Sequence, residues 1–303
     1  MFLSRQSHSS SAQYFSPKPP SLTIGVELNR GAYGTVHSGQ LDGKPVAIKQ
    51  IHLLLLKAAK EQGDFSKMMS DFQSECQLLE QLKHPHVVAF KGAFFDDTTE
   101  APLLVMELMR ENLQQYLNRK QGLLSQLEQL QICIEIVNAV CFLHERTPPL
   151  MHRDLNDKNI LLSSDGTIKI GDLGQSKLKM LDHLNTVQPG AMAFMPPEAL
   201  QQHSCYDEKL DIFSLGVLML EVATQQPPRV NMYGSGFIPE LKRREKDLAK
   251  LGGDHPLRPL IISCLEDNPK KRPDIVKVRS KLLSITERVK VILTSHIQIA
   301  LYT

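Results

Sequence analysis

Between Met151 and Gly174 the chain reads M-H-R-D-L-N-D-K-N-I-L-L, then a short turn at Ser163–Gly166, then T-I-K-I-G-D-L-G. Two acidic residues, Asp154 and Asp172, and a carboxamide, Asn159, each stand at the edge of an apolar, strand-like run. Polar groups of this kind are poor core material, because burying them unpaired costs free energy. They suit a magnesium ion beside a nucleoside triphosphate. Mg²⁺ takes oxygen ligands, and a protein typically supplies one or two carboxylates while substrate phosphates complete the shell. The stretch therefore points to a phosphoryl-transfer centre, and whatever the chain folds into must present it at an accessible edge.

The rest of the composition narrows the setting. With 303 residues the chain can bury a full core and is expected to form two lobes. A formal net charge of +2 gives no argument for nucleic acid or a membrane surface as partner. Five scattered cysteines, never paired as C-x-x-C, are expected to be reduced thiols of the cytosol or nucleus, with the cytoplasm the simplest location. The start turns polar before an apolar signal region develops, and Leu53–Leu56 is far shorter than the roughly 20 apolar residues a membrane span needs. No membrane span is expected.

Along the chain, residues 1–20 are rich in Ser, Pro and Gln without periodicity and predict a disordered leader. L-T-I-G-V-E-L, T-V-H-S-G-Q-L and K-P-V-A-I-K-Q-I then predict three strands, with turns at Asn29–Gly34 and Asp42–Gly43. His52–Ser70 is compatible with either a short helix or a loop. In D-F-Q-S-E-C-Q-L-L-E-Q-L-K the residues Phe72, Glu75, Leu79 and Leu82 share a helix face, and Glu75 in that stripe calls for a cation. Two further strands follow, V-V-A-F-K-G-A-F-F and A-P-L-L-V-M-E-L. After Met109 the pattern turns helical, which places a boundary near residues 108–111. Ser125 and Glu128 form a capping box ahead of a long apolar helix; others are expected over Leu210–Thr224 and, more charged, Pro239–Leu251. Residues 285–303 form a tail with no assigned role.

Four motifs in order carry the chemistry. L-N-R-G-A-Y-G-T-V is a turn whose glycines let backbone approach a phosphate. V-A-I-K places Lys49 on a strand, with Glu75 on the helix that follows. H-R-D-L-N-D-K-N precedes D-L-G, and M-P-P-E ends at Glu198. Each alone is weak, since most glycine-rich hairpin turns bind nothing and most strand lysines are simply solvated. In this order the set resembles a eukaryotic protein kinase domain over Leu22–Leu283, in the style of the tyrosine-kinase-like group, whose members mostly phosphorylate Ser and Thr.

The resemblance implies an α+β, bilobal protein-kinase fold spanning residues 21–284, with a small β-rich N-lobe over 21–108 and a larger, mostly helical C-lobe over 109–284. It implies ATP and Mg²⁺ as cofactors and a protein as substrate. Gly31 and Gly34 would cover the phosphates, Lys49 would contact them, and Glu75 would hold Lys49 by an ion pair. Asp154 would receive the substrate hydroxyl proton, and Asn159 and Asp172 would ligate the metal. Val36, Ala47 and Leu161 match the apolar positions around adenine, Met106 the gatekeeper, and Glu107 to Met109 the hinge. Leu79, His152 and Leu173 match an apolar spine, Asp211 an acid fixing the catalytic loop, and Glu198 with Arg272 a buried ion pair. Lys270, Lys271 and the run K-R-R-E-K at 242–246 are read as solvated basic faces.

Three positions depart from the pattern. Asn29 replaces the first glycine, where Asn tolerates a positive φ. Leu173 replaces Phe in D-L-G. Asn156 and Ala191 replace the Lys and Thr that bridge near the transferred phosphate, and Lys158, four residues after Asp154, is the candidate to supply the missing charge. Arg153 before Asp154 suggests control by phosphate on the segment after D-L-G, from an upstream kinase or by autophosphorylation, with Ser176 and Thr186 as candidates. Besides an active Ser/Thr kinase, the sequence leaves open Tyr or dual specificity, a pseudokinase acting as a nucleotide-binding scaffold, and a small-molecule phosphotransferase, against which P-P-E and Arg272 argue.

Overall fold

The computed structural model describes residues 15–31, 34–96, 98–173, 191–200, 207–228 and 244–302, with side chains to 295 in the last range. The fold is α+β and divides into two compact units, Met1–Met109 and Arg110–Thr303. Ser176 and Thr186 lie outside the described residues.

The first unit is a six-stranded sheet with two helices. Strands β1 (Ser16–Pro17), β2 (Leu22–Arg30), β3 (Gly34–Leu41), β4 (Lys44–Ile51), β5 (Phe90–Asp96) and β6 (Ala101–Glu107) pair in the order β1-β5-β6-β4-β3-β2. Asp42 and Gly43, at φ +51° and +74°, make the two-residue turn between β3 and β4, since two positive φ values match the twist of a hairpin. Period-two alternation buries Val46, Ile48, Leu103 and Val105 with Leu22 on one face. The undecided stretch after His52 is helical: α1 (Leu53–Gln62) ends at Gly63, whose φ of +80° turns its N–H back to Ala59 and Lys60 and separates α1 from α2 (Phe65–Gln81). α2 buries Met69, Phe72, Cys76 and Leu79, so Cys76 occupies the stripe and Glu75 is half-buried at its margin.

Two expectations for this unit need correction. Residues 15–20, assigned to a disordered leader, are ordered. β1 lies parallel to the edge strand β5, Lys18 N donates to Phe95 O at 2.7 Å, and the Phe15 ring packs edge-on to Phe72 with centroids 5.3 Å apart. Prolines at 17, 19 and 20 keep the segment extended, a form an edge strand accepts, and one aromatic anchor suffices to seat it. Nor does Asn29 need a positive φ. It stays in β2 opposite Val36, and its Oδ1 accepts from Arg30 N at 2.9 Å.

The second unit opens with β7 (Glu111–Asn112) in a three-stranded sheet with β8 (Ile160–Leu162) and β9 (Ile168–Ile170). Its helices are α3 (Leu113–Arg119), α4 (Gln126–His144), α5 (Lys209–Thr224), α6 (Glu245–Leu251), α7 (Arg258–Cys264) and α8 (Ile275–Tyr302). Ser125 and Glu128 form the expected capping box on α4. α4 is long and apolar enough to cross a bilayer, yet Leu130, Cys133, Ile136, Val137 and Val140 are buried within the unit, as in a core helix. α8 packs on α4 as one continuous helix, so no separate tail begins at residue 285. Val278, Leu282, Ile285 and Val289 recur at three- and four-residue spacing and are all buried. Of the charged helix expected over Pro239–Leu251, the described part is α6. Arg272, 2% exposed, binds both carboxylate oxygens of Glu198 at 2.5 and 2.9 Å and lies over the Phe213 ring.

If the Phe15 anchor seats β1, Phe15→Ala should lower the unfolding free energy by about 3 kcal/mol, the low end for Phe→Ala in cores. Urea unfolding measures it; an unchanged midpoint would show that the strap contributes nothing.

Candidate active site

The first unit gathers its share of the expected residues on one sheet face. Val36 pairs with Lys49, Ser38 with Ala47, Lys49 with Leu104 and Ala47 with Met106, and paired residues in an antiparallel ladder share a side. Val36, Ala47, Lys49 and Met106 therefore project opposite the apolar core of Val46 and Ile48. Glu107 is held at the end of β6, where its Oε1 accepts from Ala89 N at 2.6 Å, with Met109 half-buried beyond it. At Gly34 a Cβ would collide with the Gln50 carbonyl, so the turn closes only with glycine there; Gly31 has no such collision, and its N–H donates to Gly34 O at 2.9 Å. Lys49 is half-buried on β4 and Glu75 half-buried on α2. Leu28, which the sequence reading passed over, lies in a β-bulge beside Asn29, opposite Val36, and is 50% exposed.

The second unit builds its share around one buried acid. Asp211, in the first turn of α5, is fully buried; its Oδ2 accepts from His144 Nε2 and His152 N, and its Oδ1 from Arg153 N, all at 2.8 Å. Burial alone would push this carboxyl up, but the His144 hydrogen bond and the charges and backbone N–H around it hold it below its ordinary value. His152 Nε2 donates to Gly171 O at 2.8 Å and its Nδ1 accepts from Asp154 N at 3.3 Å, a network that assigns the ring proton to Nε2. Gly171 N donates to Asn159 O at 2.9 Å, so both sides of Gly171 are tied to the loop just ahead of Asp172. Arg153 and Asp172 both hold positive φ, +67° and +55°, a strained backbone that persists only where surroundings enforce it.

Within this frame the loop turns its carboxamides onto Asp154. Asn159 Nδ2 donates to Asp154 O at 2.8 Å and to its Oδ2 at 3.3 Å. Asn156, which the sequence reading treated as a gap left by lysine, is buried and also donates to Asp154. Lys158 is exposed, and Leu161 is half-buried on β8. Leu79, His152 and Leu173 are each buried in their own unit.

Asn159 and Asp172 offer the hard oxygen donors Mg²⁺ prefers. Among the described residues no group of three or more His, Cys, Asp or Glu side chains could hold an ion.

A second acidic cluster lies behind the loop. Asp157 is buried, accepts from Gln114 Nε2 at 2.8 Å, and shares a hydrogen bond with the buried Glu221 of α5. Burial raises both carboxyls, and the neighbouring Asp157 helps push Glu221 up to about 9. An acid, Glu221, within the apolar stretch of α5 is the sequence signal for a buried polar partner.

Residues 22–282 match the family described as protein tyrosine and serine/threonine kinase. Curated relatives include serine/threonine-protein kinase VIK of Arabidopsis thaliana, 30% identical over 86% of this chain and 59% of the relative. Serine/threonine-protein kinase CTR1 of Arabidopsis thaliana is 30% identical over 86% of this chain and 31% of the relative. Serine/threonine-protein kinase TNNI3K of Rattus norvegicus is 30% identical over 84% of this chain and 30% of the relative. The chain thus spans 59% of the length of VIK and about a third of that of the other two.

The Asp157–Glu221 pair predicts a pH dependence. Folded Glu221 keeps a proton up to about pH 9, whereas in the unfolded chain it releases that proton near its ordinary 4.5, so stability falls as pH rises through this window. Glu221→Gln keeps a donor toward Asp157 and removes the released proton. Its thermal midpoint should decline less than that of the wild type from about pH 5 to pH 9; parallel profiles would mean that Glu221 is ionised in the fold.

Proposed function

Because this chain belongs to the protein tyrosine and serine/threonine kinase family, we propose that it transfers the γ-phosphoryl group of ATP to a serine or threonine hydroxyl of a protein. The observation that carries the reading is the joint placement of Asp154, Asn159 and Asp172, with Asp154 oriented by carboxamides and Asp172 set through Gly171. The names of the relatives favour Ser and Thr over Tyr.

The division of labour follows from the residues. Asp154 receives the proton of the attacking hydroxyl as its oxygen bonds to phosphorus and the bond to the ADP oxygen breaks. Asn159 and Asp172 would hold a magnesium ion, which would supply positive charge to the phosphate oxygens. Lys49, steadied by Glu75, draws charge on the phosphates, and Gly31 and Gly34 let backbone close over them. Val36 and Ala47 in the first unit and Leu161 in the second would be the apolar positions for adenine, with Met106 and the Glu107 to Met109 segment as gatekeeper and hinge. A loose transition state asks for positioning and charge compensation rather than covalent work. Asn156 brings no charge, and the exposed Lys158 is assigned that part. Phosphate on Ser176 or Thr186 would pair with Arg153, linking activity to an upstream kinase or to autophosphorylation. Buried free thiols at Cys76, Cys133, Cys141 and Cys264 accord with a reducing compartment, and we place the chain in the cytoplasm.

Incubation of the purified chain with Mg-ATP and a mixed protein substrate, followed by phospho-amino-acid analysis, should yield phosphoserine and phosphothreonine. Nucleotide binding without transfer would favour a scaffold. Asp172→Asn should abolish transfer with the fold intact. Lys158→Ala should lower kcat by about tenfold or more, as loss of a charge-stabilising group does; unchanged turnover would remove Lys158 from the mechanism.

A further inference from the structure

Every polar atom of the Asn156 side chain is committed within the catalytic loop. Its Nδ2 donates to Asp154 O and to Asp154 Oδ1, each at 3.1 Å, while its Oδ1 accepts from Lys158 N at 3.0 Å and Asn159 N at 3.2 Å. The residue is 4% exposed. Asn159 Nδ2 reaches the other carboxylate oxygen, Oδ2, at 3.3 Å. One carboxamide thus stands against each oxygen of Asp154.

The terminal torsion of an aspartate is broad and nearly two-fold, so an unrestrained carboxylate samples many orientations. Donors on both oxygens remove that freedom. A lysine at position 156 would be a flexible point charge with no acceptor. The Asn156 carboxamide both accepts the two loop N–H groups and donates to the carboxylate two residues behind it.

We propose that Asn156 is a positioning residue for Asp154, a neutral clamp that sets the plane of the carboxylate toward the attacking hydroxyl. The proposal rests on the reading of Asp154 as proton acceptor. It also accounts for the absence of lysine: the position has exchanged a charge on the phosphate for orientation of the base, so charge compensation at the transferred group must come from another residue.

Two substitutions separate the clamp from a role confined to the loop turn. Asn156→Asp keeps acceptors for the Lys158 and Asn159 N–H groups but loses the donor to Asp154; Asn156→Ala loses both. The clamp requires both variants to drop kcat by about 100-fold, the scale of a 1 Å misplacement, with KM for ATP within about twofold and Asn156→Asp melting near the wild type. Wild-type kcat in Asn156→Asp, where a second carboxylate stands against Asp154, with loss only in Asn156→Ala, overturns the proposal. A readout independent of turnover is hydrogen exchange at the Asn156 side-chain amide, followed by NMR. In Asp154→Ala one of its protons should exchange at least about tenfold faster, and unchanged exchange refutes the clamp. A wild-type chain that transfers no phosphate counts against the kinase reading, and the exchange measurement then decides the clamp by itself.

Discussion

An ionised carboxylate buried in a helical core is costly unless donors surround it, and Asp211 has three at 2.8 Å, one from α4 and two from the backbone ahead of Asp154. The donors exist only if His152 and Arg153 run past the start of α5 in one conformation, which includes φ +67° at Arg153. The direction in which the chain enters Asp154 is therefore set from the core outward. His152 extends the same constraint through its ring to Gly171, and Gly171 to Asn159. His152, Arg153, Gly171 and Asn159 are thereby held by one carboxylate, one imidazole and one backbone hydrogen bond.

α5 carries a second buried acid, Glu221, ten residues or about 15 Å further along the helix. The two acids differ in charge because their neighbours differ. Asp211 faces hydrogen-bond donors and stays ionised; Glu221 faces another carboxyl and keeps its proton. Together they attach the loop to α5 at both ends, one by charge-assisted hydrogen bonds and one by a shared proton, with Gln114 of α3 adding a third support at Asp157.

Much of this was legible in the chain. Apolar runs bounded by turn signals located β2 to β6, because turn chemistry is local, whereas the ladder register separated Ala47 and Lys49 from the core residues Val46 and Ile48. The capping box at Ser125 and the Asp-Gly turn were legible for the same reason: both depend on residues within four positions of each other. The bond of Glu198 to Arg272 was reached through motif order, since their separation gives no local signal. The ordered strap at Phe15 escaped, because one aromatic side chain without periodicity acquires meaning only once Phe72 is placed beside it.

By itself the sequence determined the α+β class, the strands β2 to β6 and the family, because these follow from local patterns and from motifs whose spacing is written in the chain. Only the tertiary structure decided what Asn156 does. Read along the chain it is the loss of a lysine; folded, it is a buried amide with each polar atom paired, two of its bonds directed to Asp154. The physical reason is that a carboxamide is both donor and acceptor, and which of its neighbours it serves depends on the path the backbone takes, which Asp211 sets from the core.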